Sequence, residues 1–201
     1  MRKVDNEKQK KVWGATDGII QRLEGLKGSQ RSAELARLRN SIGKPLGEAE
    51  DVWPVFFRYL PPEFLSENGR ETYEENAIYI TLQLYALCMQ GASSGVISDD
   101  DYGSIGKTIA AGRDKDDPGA LDRRFNALIT ATDFNELTYH LRHLISIVKR
   151  KGSIAINFPR LAQDLFSIQM GNKKKMCLKW ASDYYSRSYQ DEEQTDDDKN
   201  N

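Results

Sequence analysis

The sequence predicts an all-α protein, built as two small helical bundles joined by a connector, and three observations support this. Apolar residues recur at three- and four-residue steps through most of the chain, which is the spacing of one helix face. No stretch alternates apolar and polar residues for long enough to predict a strand. Gly, Ser and Asp cluster within residues 91–117, and this composition is typical of a connector between two helical regions.

The predicted N-terminal bundle comprises residues 1–110. Ser29 is placed to cap its second helix, which carries several arginines. A short aromatic segment follows over residues 53–60 and ends at two prolines. From about residue 71 to 90, apolar residues occupy two sides of one helix, so we expect that helix to lie at the centre of its bundle.

Four helical stripes with short connections predict an antiparallel four-helix bundle over residues 111–189. Capping residues, a first-turn proline and a glycine break mark where these helices begin. The signals are Asp117 with Pro118, capping-box spacing between Asp133 and Glu136, a cap at Asn157, and a break at Gly171.

Charge is distributed unevenly, although the whole chain has a net charge of only −1. Residues 117–189 carry 12 Lys and Arg against 6 Asp and Glu, whereas residues 190–201 carry 1 against 6. The last segment contains no apolar residue, which predicts a disordered acidic tail over 190–201. A basic module favours a polyanionic partner, with an ordinary solvated surface as the alternative.

The chain contains no run of about 20 apolar residues that could cross a membrane. Its polar beginning is unlike a signal peptide. Cys88 and Cys177 lie far apart on apolar helical stripes, so we expect buried free thiols and no disulfide. These features predict a soluble protein of the cytoplasm.

No motif for catalysis or for a cofactor is present: the sequence lacks a phosphate-binding loop, a dinucleotide fingerprint and a recognisable nucleophile motif. His140 and His143 have a spacing that a metal could use, but no Cys or carboxylate motif accompanies them, so solvent-facing or interface histidines are the better interpretation. The run Asp99-Asp100-Asp101 is interpreted as a polar turn and not as a magnesium site. We therefore expect no enzymatic activity, no cofactor and no metal.

Arginines on the polar sides of the predicted helices are the more informative feature. A guanidinium group can donate two parallel hydrogen bonds to phosphate, and a spaced set on rigid helices could follow a nucleic-acid backbone without reading its sequence. Ordinary surface arginines remain the alternative that the pattern alone leaves open. Trp13, Trp53 and Trp180 fall on apolar stripes, so we expect them in the core and not as stacking platforms for bases.

The central run of the chain is Arg123-Arg124-Phe-Asn-Ala-Leu-Ile-Thr-Ala131, followed by Glu136-Leu137 and His140-Leu-Arg-His-Leu-Ile145. This run closely resembles the CasB family, the small subunit of the type I-E CRISPR surveillance complex, Cascade. Other pieces resemble the family in the same order: Leu35 to Arg39, Val52 to Tyr59, Ser104 to Ile109, Asn157 to Leu165, and Trp180 to Tyr185. Lys107 stands where the family usually has arginine, and Asn157-Phe158 stands where it has Asp-Trp.

The resemblance implies a non-catalytic subunit present in two copies, lying beside the guide RNA (crRNA) and stabilising the R-loop. The expected partners are crRNA, the target and non-target DNA strands, the backbone and large subunits of Cascade, and a second copy of this chain. From the matched motifs we expect nucleic-acid contacts at Arg37, Arg39, Lys107, Arg123, Arg124 and Arg142. Arg31 and Arg113 are added from the residues themselves and are not carried over from a matched motif.

Two other functions stay open at this point. A helix-turn-helix regulator could use the arginine-bearing second helix for recognition, although we expect no short turn beside that helix. A purely structural adaptor could use the same arginines in salt bridges to neighbouring proteins.

Overall fold

The computed structural model describes residues 2–92, 96–98, 103–114, 117–152 and 154–197, with side chains from residue 6 to residue 186. Across these residues the fold is all-α, as the sequence predicts. A parallel bridge between Ile97 and Ile156 is the one β interaction found in this part of the chain. No helix in the described ranges is both long enough and apolar enough to cross a membrane.

The helices are numbered here in chain order, and short 3₁₀ turns at Leu46–Glu48 and Pro62–Phe64 lie between them. They are α1 (Arg2–Gly25), α2 (Gly28–Asn40), α3 (Trp53–Phe56), α4 (Tyr73–Met89), α5 (Ile105–Ala110), α6 (Gly119–Thr130), α7 (Phe134–Lys151), α8 (Phe158–Ser167) and α9 (Lys173–Asp197).

The predicted caps of two helices are confirmed. The Asp133 carboxylate accepts a hydrogen bond from the Glu136 amide at 2.8 Å, and Asn157 Oδ1 accepts one from the Arg160 amide at 2.9 Å. Gly171 interrupts the chain before α9 with φ +88°, a left-handed conformation that suits glycine. Short-range chemistry thus determines where these helices begin.

Two predicted helix starts and one predicted capping box differ from the structure. Helix α2 begins at Gly28 after Lys27, so Ser29 lies inside its first turn and is not its cap. Pro118, not Asp117, occupies the cap position of α6. The Glu136 carboxylate binds the Thr132 amide instead of completing a capping box with Asp133.

The connection between α1 and α2 is also shorter than predicted. Only Leu26 and Lys27 separate the two helices, so the prediction that no short turn lies there is wrong. Helix α1 ends at Gly25, and Gly28 with φ +54° opens α2.

Helix α4 lies at the centre of the first half, as predicted. It packs against α1, α2, α7 and α8, and its side chains are buried on several sides. Thr72 and Glu75 form a reciprocal capping box at its start. Trp180 is fully buried and Trp13 is half-buried, but Trp53 is 37% exposed, so its expected place in the core is wrong. Its Nε1 instead donates to the Leu46 carbonyl at 2.8 Å.

Helices from the two predicted bundles pack together. Helix α8 packs on α1 and α4, α5 packs on α9, and the buried side chains form one continuous cluster. The approach of α5 to α9 is so close that a Cβ at Gly106 would overlap the Trp180 carbonyl oxygen. The domain boundary between residues 110 and 111 stays a prediction.

Parts of the connector, including Asp99–Asp101, lie outside the described residues. Helix α9 continues to Asp197 and so includes much of the acidic segment, whose predicted disorder stays a prediction. Cys88 and Cys177 are both buried and free, as expected.

Candidate nucleic-acid interface

Helices α6 and α7 pack side by side, and their polar sides are exposed next to each other. Leu121, Phe125 and Leu128 are buried on α6, which leaves Arg123 and Arg124 exposed on its outer side. A connection of three residues leads to α7, whose buried face leaves its opposite side open to solvent. The side chains on that open side are Tyr139, His140, Arg142 and His143.

A cleft of about 480 Å³ runs between these two helices and is called the α6–α7 cleft. Arg123 and Arg124 line one wall, and small side chains of α6 keep the cleft open between them and α7. Its lining residues are Ala120, Arg123, Arg124, Ala127, Tyr139, His140, His143 and Leu144. None of these carries a carboxylate, although Glu136 of α7 lies 3.6 Å from His140 Nε2. The two arginines on the α6 wall are what make the cleft suited to an anion.

Tyr139 lines this cleft with 52% of its surface exposed. The His143 ring meets it edge-on at 4.4 Å between centroids, and the His140 ring lies at 5.5 Å. The Arg142 guanidinium carbon lies over the tyrosine ring at 5.5 Å from its centroid, within the range of a cation–π interaction. Two imidazoles and one guanidinium therefore hold this ring in place.

Tyr139 also lines a second cleft, of about 550 Å³, called here the α4–α7 cleft because α4 and α7 form its walls. The loop after α2 closes one side, and the Arg142 guanidinium lies beside Gly43 of that loop. The polar residues of this cleft are Lys44, Glu71, Asn76, Tyr79, Gln83, Asn135, Thr138 and Arg142. The two clefts are neighbours, with Tyr139 between them.

The arginines predicted to bind nucleic acid differ in whether a carboxylate already holds them. Arg123, Arg124 and Arg142 have no carboxylate within salt-bridge distance among the residues that the structure describes, and we call them the unpaired arginines. Arg39 is half-buried, also without such a partner in the described ranges, and its charge acts on Lys149 of α7.

The two other arginines of α2 form ion pairs within the chain. Arg31 Nη2 lies 2.6 Å from Glu24 Oε1, and Arg37 Nη1 lies 2.7 Å from Glu34 Oε1. The Tyr85 hydroxyl joins the first pair, and its hydrogen bond with Arg31 raises the pKa of that guanidinium. These positive charges are already neutralised locally.

Arg113 takes part in a third, more enclosed pair. Its Nε and Nη2 donate to both oxygens of Asp122 at 3.1 and 2.9 Å, and the Tyr184 hydroxyl donates to Asp122 Oδ1 at 2.6 Å. Burial opposes ionisation of Asp122, but the hydrogen bonds from Arg113 and Tyr184 outweigh it and lower its pKa. This group links the segment before α6 to α6 and α9, so Arg113 has a structural role that its position in the sequence did not reveal.

Lys107 is exposed on α5, one residue after the close contact of Gly106 with α9. The sequence also places Lys149 on the outer face of α7 beside Arg142, but its Nζ donates to the Leu87 carbonyl at 2.6 Å. It thereby satisfies carbonyl groups at the end of α4, and burial together with the Arg39 charge lowers its pKa.

Sequence reasoning did not single out Tyr139 or Lys44. A signal for Tyr139 was present, because an aromatic residue one step before His140 falls on the polar side of a strongly amphipathic helix. Among the described residues, no group of three His, Cys, Asp or Glu is placed to hold a metal ion. What the clefts offer is positive charge, hydrogen-bond donors and one exposed ring.

Three solved structures share this fold over most of the chain. CasB from M. ruber matches with a TM-score of 0.71 and 24% identity, covering 89% of this chain and 96% of that one. A Cse2-family CRISPR-associated protein from Thermus thermophilus matches with a TM-score of 0.65 and 21% identity, covering 89% and 97%. CasB from Thermobifida fusca matches with a TM-score of 0.59 and 23% identity, covering 90% and 97%.

No curated protein sequence is significantly similar to the chain. The sequence itself, however, matches the family model of the CRISPR-associated protein Cse2 over residues 34–185. The match includes α4 through most of α9 and contains both clefts. Sequence and fold agree, and the chain belongs to the Cse2 (CasB) family of CRISPR-associated proteins.

Proposed function

We propose that this chain is a non-catalytic subunit of the type I-E Cascade ribonucleoprotein. In this role it binds the phosphate backbone of crRNA, of the target strand and of the displaced non-target strand, and so stabilises the R-loop. The single observation that supports the proposal best is the group of unpaired arginines, Arg123, Arg124 and Arg142, on two adjacent helices.

Unpaired arginines suit phosphate binding for an electrostatic reason. A guanidinium group that lacks a carboxylate partner keeps its full attraction for phosphate, whereas a paired one must first exchange a partner it already has. Helices α6 and α7 are anchored by buried apolar faces, so the unpaired arginines are held at fixed spacings along a strand. Binding of this kind follows the backbone and does not read bases.

The other predicted contacts differ in how much each should contribute to phosphate binding. Arg39 has no carboxylate within salt-bridge distance among the described residues and supplies a further backbone contact. Lys107 is exposed on α5 and stays in the proposed set because its position matches the family motif. Arg31, Arg37 and Arg113 contribute less, because binding phosphate would cost them contacts with Glu24, Glu34 and Asp122. The partners in this role are the backbone and large subunits of Cascade and a second copy of the chain, in the cytoplasm.

A co-purification experiment tests the role. The full chain, tagged, is produced with the other Cascade subunits and a guide RNA, and the isolated complex is irradiated to crosslink protein to nucleic acid. We expect crRNA and the large subunits to co-purify, with crosslinks on α6 and α7. Recovery of the chain without RNA contradicts the proposal.

Two outcomes of the same work would favour the other functions. Crosslinks from α6 and α7 to protein alone would identify a structural adaptor. A sequence-specific footprint made on duplex DNA by the isolated chain would identify a helix-turn-helix regulator, which the short connection between α1 and α2 permits. Against that role, α2 packs its Leu35 and Leu38 on the protein, and Arg37 is paired with Glu34.

A further inference from the structure

We propose that Tyr139 is a stacking platform for an unpaired nucleic-acid base, so that the α6–α7 cleft binds a single strand by base and phosphate together. This inference rests on the proposed function in one respect, because it takes the phosphate to lie on Arg123 and Arg124. It goes beyond that function by adding a contact that distinguishes a single strand from a duplex.

The exposure of Tyr139 is the first argument. Tyr79, Tyr85 and Tyr184 are almost completely buried, and each donates its hydroxyl to a partner within the protein. Tyr139 instead leaves 52% of its surface to solvent, and its hydroxyl has no hydrogen-bond partner in the described part of the chain. Tyr73 is equally exposed but lines neither cleft, so Tyr139 is distinguished by its exposure together with its place in both clefts.

The rigidity of the ring is the second argument. Edge-on contact with His143 at 4.4 Å and with His140 at 5.5 Å fixes the plane of the ring before any ligand arrives. A ring that is already oriented loses little conformational freedom when a base stacks on it. Both histidines lie on the same helix as Tyr139, so the arrangement does not depend on a loop.

The surroundings are the third argument. The Arg142 guanidinium carbon is 5.5 Å from the ring centroid, and Arg123 and Arg124 stand on the opposite wall of the cleft. A base on Tyr139 would therefore have cationic groups within reach of its own phosphate and of its neighbour's. Positive charge that tracks a backbone, interleaved with an exposed ring, is the combination by which proteins bind single strands without sequence preference.

The ligand is an unpaired nucleotide, and its source is either the displaced DNA strand or an RNA strand. A base in a duplex is stacked on both faces and paired at its edge, so it has no free face for Tyr139. The stacking contact should therefore favour single strands, whereas the arginine contacts should bind single strands and duplexes alike.

The test uses the full chain with fluorescent oligothymidylate, oligouridylate and a DNA duplex as separate probes. Tyr139→Leu removes the aromatic face while keeping an apolar side chain, and Tyr139→Phe keeps the face while removing only the unpartnered hydroxyl. We expect Tyr139→Leu to weaken binding of a single strand about tenfold and Tyr139→Phe to weaken it less than twofold. Binding of the duplex should be unchanged in both variants, and thermal unfolding confirms that each variant is folded.

Abasic oligonucleotides give the decisive comparison. Because they retain every phosphate, they should bind the natural chain about as weakly as oligothymidylate binds Tyr139→Leu, and Tyr139→Leu should not distinguish the two probes. Oligothymidylate and oligouridylate identify the source, since a larger effect of Tyr139→Leu on one of them assigns the site to that strand. Equal binding of oligothymidylate by Tyr139→Leu and the natural chain overturns the stacking inference, as does an equal loss for single strand and duplex.

The two proposals fail in different ways. If only the stacking inference is wrong, the natural chain still binds the strands with a strong dependence on salt, and Tyr139→Leu behaves as the natural chain does. If backbone binding by the arginines is wrong, Arg123→Gln with Arg124→Gln leaves the salt dependence unchanged, whatever Tyr139→Leu does.

Discussion

Two arginine-bearing regions of this molecule differ in one respect that composition cannot reveal. On α2, Arg31 and Arg37 lie 2.6 and 2.7 Å from the carboxylates of Glu24 and Glu34. On α6, Arg123 and Arg124 face solvent with no carboxylate within salt-bridge distance in the described part of the chain. The comparison teaches that the number of arginines on a helix does not measure its attraction for phosphate.

The difference arises from which groups the neighbouring carboxylates bind. Around α2, Glu34 pairs with Arg37 of the same helix, and Glu24 of α1 pairs with Arg31. Around α6 and α7, Asp122 is held by Arg113 and Tyr184, and Asp133 caps α7. Glu136 accepts hydrogen bonds from Thr132, so three acidic residues are occupied while the unpaired arginines remain open.

The largest expected effect concerns the paired arginine that is most enclosed. Arg113→Gln removes both hydrogen bonds to Asp122 and leaves a poorly exposed carboxylate without its cation. We expect a loss of about 2 kcal/mol in the free energy of unfolding, because a partly buried group has lost its partner. Urea denaturation measures this loss.

Arg58→Gln is the matched control, since Arg58 is exposed and lacks a carboxylate partner among the described residues. It should change the free energy of unfolding by less than about 0.5 kcal/mol. Equal stability of the two variants would show that Arg113 is no more structural than a surface arginine.

The same pair predicts how stability changes with pH. The pKa of Asp122 lies below its ordinary value of 3.8 in the folded protein, so the ionised carboxylate stabilises the fold above that pH. This stabilisation is lost as the pH falls through the folded-state pKa. Asp122→Asn should therefore lose stability at neutral pH and lose less than the natural chain on further acidification, as followed by thermal unfolding. Parallel pH curves for the two proteins would contradict this assignment.

Arg142 gives the next effect in size, and it should appear in binding. Arg142→Gln removes a cation that borders both clefts and lies over Tyr139. We expect single-strand affinity to fall about five- to tenfold, on the order of 1 kcal/mol, with little change in stability. Fluorescence anisotropy at constant salt measures the affinity, and unchanged affinity would remove Arg142 from the interface.

The smallest expected effect comes from freeing a paired arginine of α2 instead of removing an unpaired one. Glu34→Gln releases Arg37 from its ion pair, and we expect single-strand affinity to rise about two- to threefold because one more guanidinium becomes available. Glu50→Gln removes the same charge from an exposed glutamate that has no cationic partner in the described residues. If both variants bind equally, the ion pair on α2 does not limit its arginines.

The sequence was sufficient to predict the all-α fold and the residues at which several helices begin. Periodicity predicted α4 as a central helix, and local chemistry predicted the caps at Asp133 and Asn157, because these depend on residues a few positions apart. The CasB resemblance was confirmed by the family match and the fold.

The pairing of side chains was not predictable in the same way. Arg113 meets Asp122 nine positions along the chain, and Tyr184 reaches the same carboxylate from α9. Such contacts depend on how helices pack, which periodicity does not specify. Tyr139 was not predicted for the same reason. It faces Arg123 and Arg124 across the α6–α7 cleft, and periodicity does not show which helices face each other. The contact roles of the eight predicted residues stay predictions.

The salt dependence of single-strand binding tests the central claim most directly. Two double variants are compared with the natural chain over a range of salt concentrations: Arg123→Gln with Arg124→Gln, and Arg31→Gln with Arg37→Gln. Each removes two arginines, but only the first removes arginines without a carboxylate partner. We predict that the slope of log affinity against log salt becomes shallower by about 1.4 for the first variant and stays unchanged for the second. Equal changes in the two slopes, or no change in the first, would contradict the account.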